Sequence, residues 1–169
     1  TPMLSYAVRE LKCGCGIVIS ASHNSGIYNG VKCYGPDGCQ MTDEPAAIVT
    51  AMIEQIPFFV PEKKTFDAYL SEGLIRYIPQ SLWNSYYETV LNEAVAPDMV
   101  RGAGLHVVYT PLCGTGNEPV RHILKDLNVN VHIVSCQEMP DGDFKTCEYP
   151  NPETDAALNE SYKVAKDVP

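Results

Sequence analysis

The run Ile17-Val18-Ile19-Ser20-Ala21-Ser22-His23-Asn24-Ser25-Gly26-Ile27-Tyr28-Asn29-Gly30-Val31-Lys32 decides how the rest of the chain is read. Its first three residues are β-branched and apolar, which predicts a buried strand. The pattern then breaks into a polar loop with hydroxyls, an imidazole, two amides and two glycines before Lys32. A loop at the end of a buried strand is where a rigid scaffold presents chemistry.

Working outward, Thr1-Pro2 reads as an N-cap followed by a proline at the first helical position, with Leu4, Ala7, Val8 and Leu11 on one face. Gly14 and Gly16 are expected to stop that helix. Val31 to Tyr34 reads as a short strand and Gly35-Pro36-Asp37-Gly38 as a turn. A helix is expected from about Glu44 to Ile56, with Ile48, Met52, Ile53 and Ile56 on its apolar face. Phe58 to Ile78 has weak periodicity and reads as a connection with one or two short elements. The clearest helix is Gln80 to Val95, ended by Pro97. Then come strand Leu105 to Tyr109, a Gly-rich loop, helix Pro119 to Leu127 and strand Val129 to Val134. A last helix is expected to start at Asn151-Pro152-Glu153, with Asn as cap. Strand, helix, strand thus occurs in both halves, which predicts two similar α/β units joined near residues 57 to 82.

Composition narrows the class. The 169 residues are 45% apolar and 20% charged, enough for a core and unlike a disordered chain. A formal net charge of −9 disfavours nucleic acid and anionic membrane surfaces as partners. No apolar stretch approaches the length of a membrane span, and no signal-peptide pattern opens the chain. The start, Thr1-Pro2-Met3-Leu4, sets the expectation of an internal piece of a longer protein. The seven cysteines fit neither a disulfide framework nor a standard zinc knuckle; they are expected as reduced thiols packed as small hydrophobes.

Ser22 is the candidate nucleophile. Gly-x-Ser-x-Gly is absent, and His23, adjacent in sequence, is expected to point away in an extended loop, which counts against acyl chemistry. The alternative is a serine that carries phosphate, supported by loop amides, Asn24, His23 and Lys32.

Ala21-Ser22-His23-Asn24 with Tyr28-Asn29-Gly30-x-Lys32 resembles the phosphoserine loop of the α-D-phosphohexomutases, the phosphoglucomutase and phosphomannomutase group, with Ser25 where that family usually has Pro. Four further landmarks follow the family's order. They are Thr1-Pro2 with its helix, Tyr109-Thr110-Pro111-Leu112-Cys113-Gly114-Thr115-Gly116 (Cys113 standing where His is usual), Pro140-Asp141-Gly142-Asp143-Phe144, and Tyr149-Pro150-Asn151-Pro152-Glu153. The Tyr-Asn-Gly form of the loop is closer to glucose or mannose mutases than to phosphoglucosamine mutases.

The resemblance implies an α/β fold of two incomplete three-layer α/β/α units with mixed sheets, as in phosphohexomutase domains I and II. Residues 1–60 would be the C-terminal part of domain I, 61–81 a connection, and 82–169 domain II. It implies an isomerase of hexose 1-phosphate and hexose 6-phosphate working through a bisphosphorylated sugar. Ser22 would be the phosphorylated nucleophile, Lys32 the general acid/base and substrate contact, His23 a second catalytic candidate, and Asn24 a loop-fixing or substrate-binding residue. Mg²⁺ would bind through the phosphate on Ser22, with the family's Asp-x-Asp-x-Asp-Arg ligands expected beyond Pro169. A hexose bisphosphate such as glucose 1,6-bisphosphate would act as activator. The expected partners are the hexose phosphate and the parent's other domains, with no nucleic acid or membrane, in the cytoplasm. The chain alone is expected to be inactive. Asp141 and Asp143 are read as a turn and not as metal ligands, and Gly114 and Gly116 as packing glycines in preference to a phosphate cradle. The rival readings are a non-catalytic phosphosugar-binding or interaction module built from mutase parts, and a serine hydrolase.

Overall fold

A computed structural model of the chain describes residues 1–61, 63–147 and 149–169. Among them are seven α-helices, one 3₁₀ turn and four strands, grouped into two compact units. The first unit comprises residues 1–18 and 31–84; the second comprises 19–30 and 85–169. The architecture is mixed α/β, but strand, helix, strand occurs only in the second half of the chain; in the first half the two strands follow one another with a loop and no helix between them. Among the described residues no helix is long and apolar enough to cross a membrane.

In the first unit, α1 (Pro2–Glu10) starts on the expected proline, although the Thr1 hydroxyl makes no capping hydrogen bond. Tyr6, Ala7 and Val8 are its buried face. The helix ends at Leu11, and Lys12, with φ 52°, takes the left-handed position. Gly14 and Gly16 are therefore not its stop. Gly16 has a different duty: a Cβ there would stand 2.6 Å from Val8 Cγ2, so its hydrogen lets β1 (Gly16–Ile19) lie close against α1. β1 pairs with β2 (Val31–Tyr34). The turn after β2 closes with Gly38 N–H donating to Gly35 O at 3.0 Å, and Ser5 Oγ–H ties that turn to α1 through Gly38 O at 2.6 Å.

Two burial expectations fail here. Ile17 and Ile19 are 57% and 70% exposed. In α2 (Asp43–Ile53) no residue is buried, and Ile48, Met52, Ile53 and the following Ile56 are all more than half exposed. The physical reason is shared. Periodicity reports which side chains favour burial, and a two-stranded sheet offers too little surface to cover them. Only Ala46 and Val49 of α2 gain partial cover, beside β2. Stretch 61–81 holds α3 (Phe66–Ser71), whose N-cap Thr65 side chain accepts from Ala68 N–H.

α4 (Gln80–Asn92) buries Leu82 and Tyr87 and stops three residues before the predicted end, leaving Val95 fully exposed. Pro97 does not simply end a helix; it opens a short α5 (Pro97–Gly102) with an Asp98–Arg101 ion pair at 3.0 Å. β3 (His106–Tyr109) runs parallel to β4 (Asn130–Ile133), in register His106 with Asn130 through Tyr109 with Ile133. α6 (Asn117–Asp126) connects them and packs on β4. A 3₁₀ turn (Ser135–Gln137) follows, and α7 (Asp155–Ala165) packs on β3 with Ala157 wholly buried. The cap of α7 is Thr154, not Asn151. Asn151 Oδ1 instead accepts from Glu153 N–H at 3.0 Å, forming a side-chain turn ahead of the helix.

The cysteines are free, but Cys15, Cys39 and Cys136 are exposed, so only part of the set packs as small hydrophobes.

Candidate functional site

The serine loop belongs by its contacts to the second unit, and it is closed at its base. Ser20 N–H donates to Gly30 O at 2.9 Å, and a Cβ on Gly30 would stand 2.8 Å from Ser20 O. Gly30 is thus required by the approach of two backbones. Within the loop Asn24 N–H donates to Ala21 O, Tyr28 N–H to Ser25 O, and Gly30 N–H to Asn29 Oδ1. Asn24 serves the loop through its backbone; its side chain is exposed.

Ser22 sits at φ 61°, in the left-handed region that non-glycine residues avoid. Holding it there costs about 1–2 kcal/mol. Backbone strain of this kind gathers at functional sites. Its N–H donates to Ser20 Oγ at 3.1 Å, which fixes the turn and leaves the Ser22 side chain exposed. The left-handed turn also overturns one expectation: Ser22 Oγ lies 3.4 Å from His23 Nδ1, so the two side chains do not point apart. That distance is at the long limit of hydrogen bonding. The His23 ring meets Tyr149 edge-on, centroids 6.0 Å apart, and among the described residues no carboxylate orients it. A hydrolase triad is therefore incomplete here.

The loop is pinned at a second point that the sequence did not disclose. Gly26 N–H donates to Gly142 O at 3.0 Å, and a Cβ on Gly26 would stand 2.9 Å from that oxygen. Gly142 lies in the Asp141–Phe144 turn, where Asp143 N–H donates to Asp141 Oδ1 at 3.0 Å and Lys145 Nζ lies 3.7 and 3.9 Å from the two carboxylates. The acidic pair is a turn, as expected, and the turn is a wall of the serine loop. The only local hint was a glycine in each segment.

Beside it, the segment after β3 is held by Gln137, which is 1% exposed. Thr110 Oγ1–H donates to Gln137 Oε1 at 2.7 Å and accepts from Leu112 N–H, while Cys113 N–H donates to Gln137 O at 2.8 Å. Leu112 and Cys113 both have positive φ. Cβ atoms on Gly114 and Gly116 would stand 2.9 Å from Pro111 O and 2.8 Å from Tyr109 Oη, so close packing accounts for both glycines. Burial pushes the Tyr109 phenol up; burial and then the Asp141 carboxylate push the Cys113 thiol up. At α6, Asn117 Nδ2–H donates to Glu138 O at 3.0 Å, and Arg121 pairs with the Glu138 carboxylate.

Lys32 belongs to the first unit. It is exposed on β2, beside a groove of about 280 Å³ between β2 and α2. Among the described residues no three His, Cys, Asp or Glu side chains gather to hold a metal ion.

The family described as phosphoglucomutase/phosphomannomutase, alpha/beta/alpha domain II, matches residues 84–168, and the companion domain I matches residues 1–59. The chain belongs to the phosphoglucomutase/phosphomannomutase family. A phosphoglucomutase of Staphylococcus aureus (strain N315) is 34% identical over 98% of this chain, which covers 29% of that relative. One from Staphylococcus epidermidis (strain RP62A) is 35% identical, with 98% of this chain and 30% of the relative covered. A crystal structure from Thermus thermophilus, provisionally described as a phosphomannomutase, superposes with TM-score 0.70 at 24% identity, over 96% of this chain and 34% of that one. The chain thus spans under a third of the length of the curated relatives it matches.

Proposed function

We propose that this chain is the phosphoserine-bearing part of a phosphohexomutase that interconverts hexose 1-phosphate and hexose 6-phosphate. The observation that carries the reading is Ser22, held left-handed and exposed on a loop pinned at both base and tip. In the forward half-reaction the phosphorus–oxygen bond to Ser22 breaks as a bond to a sugar hydroxyl oxygen forms. The hydroxyl's proton passes to a base, with Lys32 the first candidate and His23 the second, and the serine oxygen leaves as the new acceptor. The bisphosphorylated sugar then returns its other phosphoryl group to Ser22. Asn24 fixes the loop or meets the sugar. Mg²⁺, when bound, would neutralise charge on the transferring phosphoryl group, and this chain's share in holding it is a phosphate oxygen on Ser22. A hexose bisphosphate such as glucose 1,6-bisphosphate would recharge Ser22. Residues 1–60 and 82–169 act as parts of domains I and II joined by 61–81, in a cytoplasmic enzyme whose other domains complete the site. Family membership disfavours the non-catalytic module.

The test is intact-mass and peptide analysis of the parent enzyme after incubation with glucose 1,6-bisphosphate. One phosphoryl group is expected on Ser22, and none in Ser22→Ala. A Ser22→Ala enzyme that keeps full mutase turnover would overturn the assignment. The 169-residue chain alone is expected to give no turnover in a coupled glucose 1-phosphate assay.

A further inference from the structure

We propose that Tyr149 is a positioning residue for phosphoryl transfer: its ring holds the His23 imidazole against the Ser22 oxygen, an assignment that rests on the phosphoserine reading of Ser22. His23 is half-buried, and its Nδ1 lies 3.4 Å from Ser22 Oγ. Catalytic hydrogen bonds are often this long before substrate binds, and they tighten in the complex. An imidazole on a loop has about six orientations, from three staggered wells at its first side-chain torsion and roughly two at its second. Only some of them bring Nδ1 to the serine. Among the described residues Nε2 makes no hydrogen bond and no carboxylate meets the ring, so no polar partner chooses between them. Tyr149 does. It meets the imidazole at an interplanar angle of 86°, with centroids 6.0 Å apart. This is the edge-to-face arrangement that aromatic quadrupoles favour.

Tyr149 can hold the ring because its own backbone is held. Buried Cys147 donates its Sγ–H to Tyr149 O at 3.0 Å, and Cys147 N–H donates to Phe144 O at 2.9 Å. On the other side Pro150 is buried, and a residue before proline is restricted to extended backbone. Among the described residues the Tyr149 hydroxyl makes no hydrogen bond, so the ring is what this side chain contributes. One segment thus touches the serine loop twice: Gly142 latches its tip, and Tyr149 sets the direction of His23. Held there, a protonated Nδ1 donates to the serine oxygen as that oxygen gives up its phosphoryl group, which eases the negative charge developing on it.

The experiment has two arms, both on the parent enzyme. In the first, enzyme phosphorylated on Ser22 is mixed with glucose 1-phosphate and Mg²⁺, and single-turnover phosphoryl transfer is followed by rapid quench. Tyr149→Ala should slow transfer about three- to sixfold, as the freed ring spreads over its other orientations, with the half-saturating glucose 1-phosphate concentration unchanged. Tyr149→Phe keeps the ring and should restore transfer to within about twofold of wild type. His23→Ala should be at least as slow as Tyr149→Ala, and adding Tyr149→Ala to it should cost nothing further, because Tyr149 acts through His23. In the second arm, crystal structures read the ring directly. One orientation with Nδ1 toward the Ser22 oxygen is expected in the wild type, and a turned or divided ring in Tyr149→Ala. Unchanged transfer in Tyr149→Ala, equal losses in Tyr149→Phe and Tyr149→Ala, or the full Tyr149→Ala loss repeated in the His23→Ala background would each overturn the proposal. So would an unmoved His23 ring in the Tyr149→Ala crystal. Failure of the mutase reading shows differently: the wild-type parent then takes no phosphate on Ser22, and the crystal structures alone decide whether Tyr149 holds the ring.

Discussion

Gly26→Ala tests whether the contact with Gly142 restrains the serine loop. The new Cβ would stand 2.9 Å from Gly142 O. Comfortable carbon–oxygen contacts begin at about 3.3 Å. The loop must therefore retreat by several tenths of an ångström, and the retreat pulls Gly26 N–H away from its 3.0 Å bond to the same oxygen. Loss of one such bond is worth about 1 kcal/mol. Gly26 is not among the positive-φ glycines, so alanine is permitted by its own backbone. Alanine also restricts the unfolded chain, which returns about 0.4–1 kcal/mol to global stability. The two effects separate by measurement. Urea unfolding should move little, while opening of the loop should rise by about fivefold, since each 1.4 kcal/mol is a factor of ten and this is about 1 kcal/mol. Native-state hydrogen exchange reads that opening at the residue 26 amide, corrected for the intrinsic rate of alanine. An amide as protected in the variant as in the wild type would refute the reasoning. Ser25→Ala, beside it but without the close approach, should leave the exchange rate unchanged.

Other outcomes follow from the same contacts. Gln137→Ala strands the part-buried Thr110 hydroxyl and should cost about 1–3 kcal/mol in urea unfolding; a change under about half a kcal/mol would contradict the role given to Gln137. Timed alkylation at neutral pH should modify exposed Cys15, Cys39 and Cys136 first and Cys113 and Cys147 last, because burial and Asp141 disfavour the Cys113 thiolate and Cys147 is buried. The Tyr87 phenol is pushed up by burial first, then by Glu118 and Tyr86. Its folded pKa therefore lies above its unfolded one, so its contribution to stability is complete below the ordinary tyrosine range and is lost as pH rises through that range towards the folded value. Glu118→Gln should lower the Tyr87 midpoint in an ultraviolet titration, and an unmoved midpoint would remove Glu118 as a cause.

The β3–α6–β4 unit was legible because its apolar runs are short, β-branched and bounded by Gly, Pro and Asn. Where local signals serve two structures, the reading slipped. Pro97 suits both the end of α4 and the first turn of α5, and Asn151 suits both a cap and the side-chain turn it forms with Glu153. Lys12, and not a glycine, takes the left-handed position after α1, which composition does not announce. Burial was least legible: Ile17 and Ile48 have the right pattern, but cover depends on which layers lie over them. At the site, the residues of the serine loop were plain in the motif. The meeting of Ser22 Oγ and His23 was not, because it depends on the left-handed backbone of Ser22. Nor was the Gly26–Gly142 bond, since a pairing across that much sequence leaves no periodic trace.

That bond also sets an order of events in folding. The ribosome makes the strands on either side of the serine loop well before the group that latches the loop's tip, which lies far downstream. Closing so long an interval carries an entropy cost that the chain meets only once the second unit has gathered. During synthesis Ser22 is therefore made long before its loop is latched at the tip. Until the turn at Gly142 has been made, the loop has only the bonds within itself and at its base to hold it.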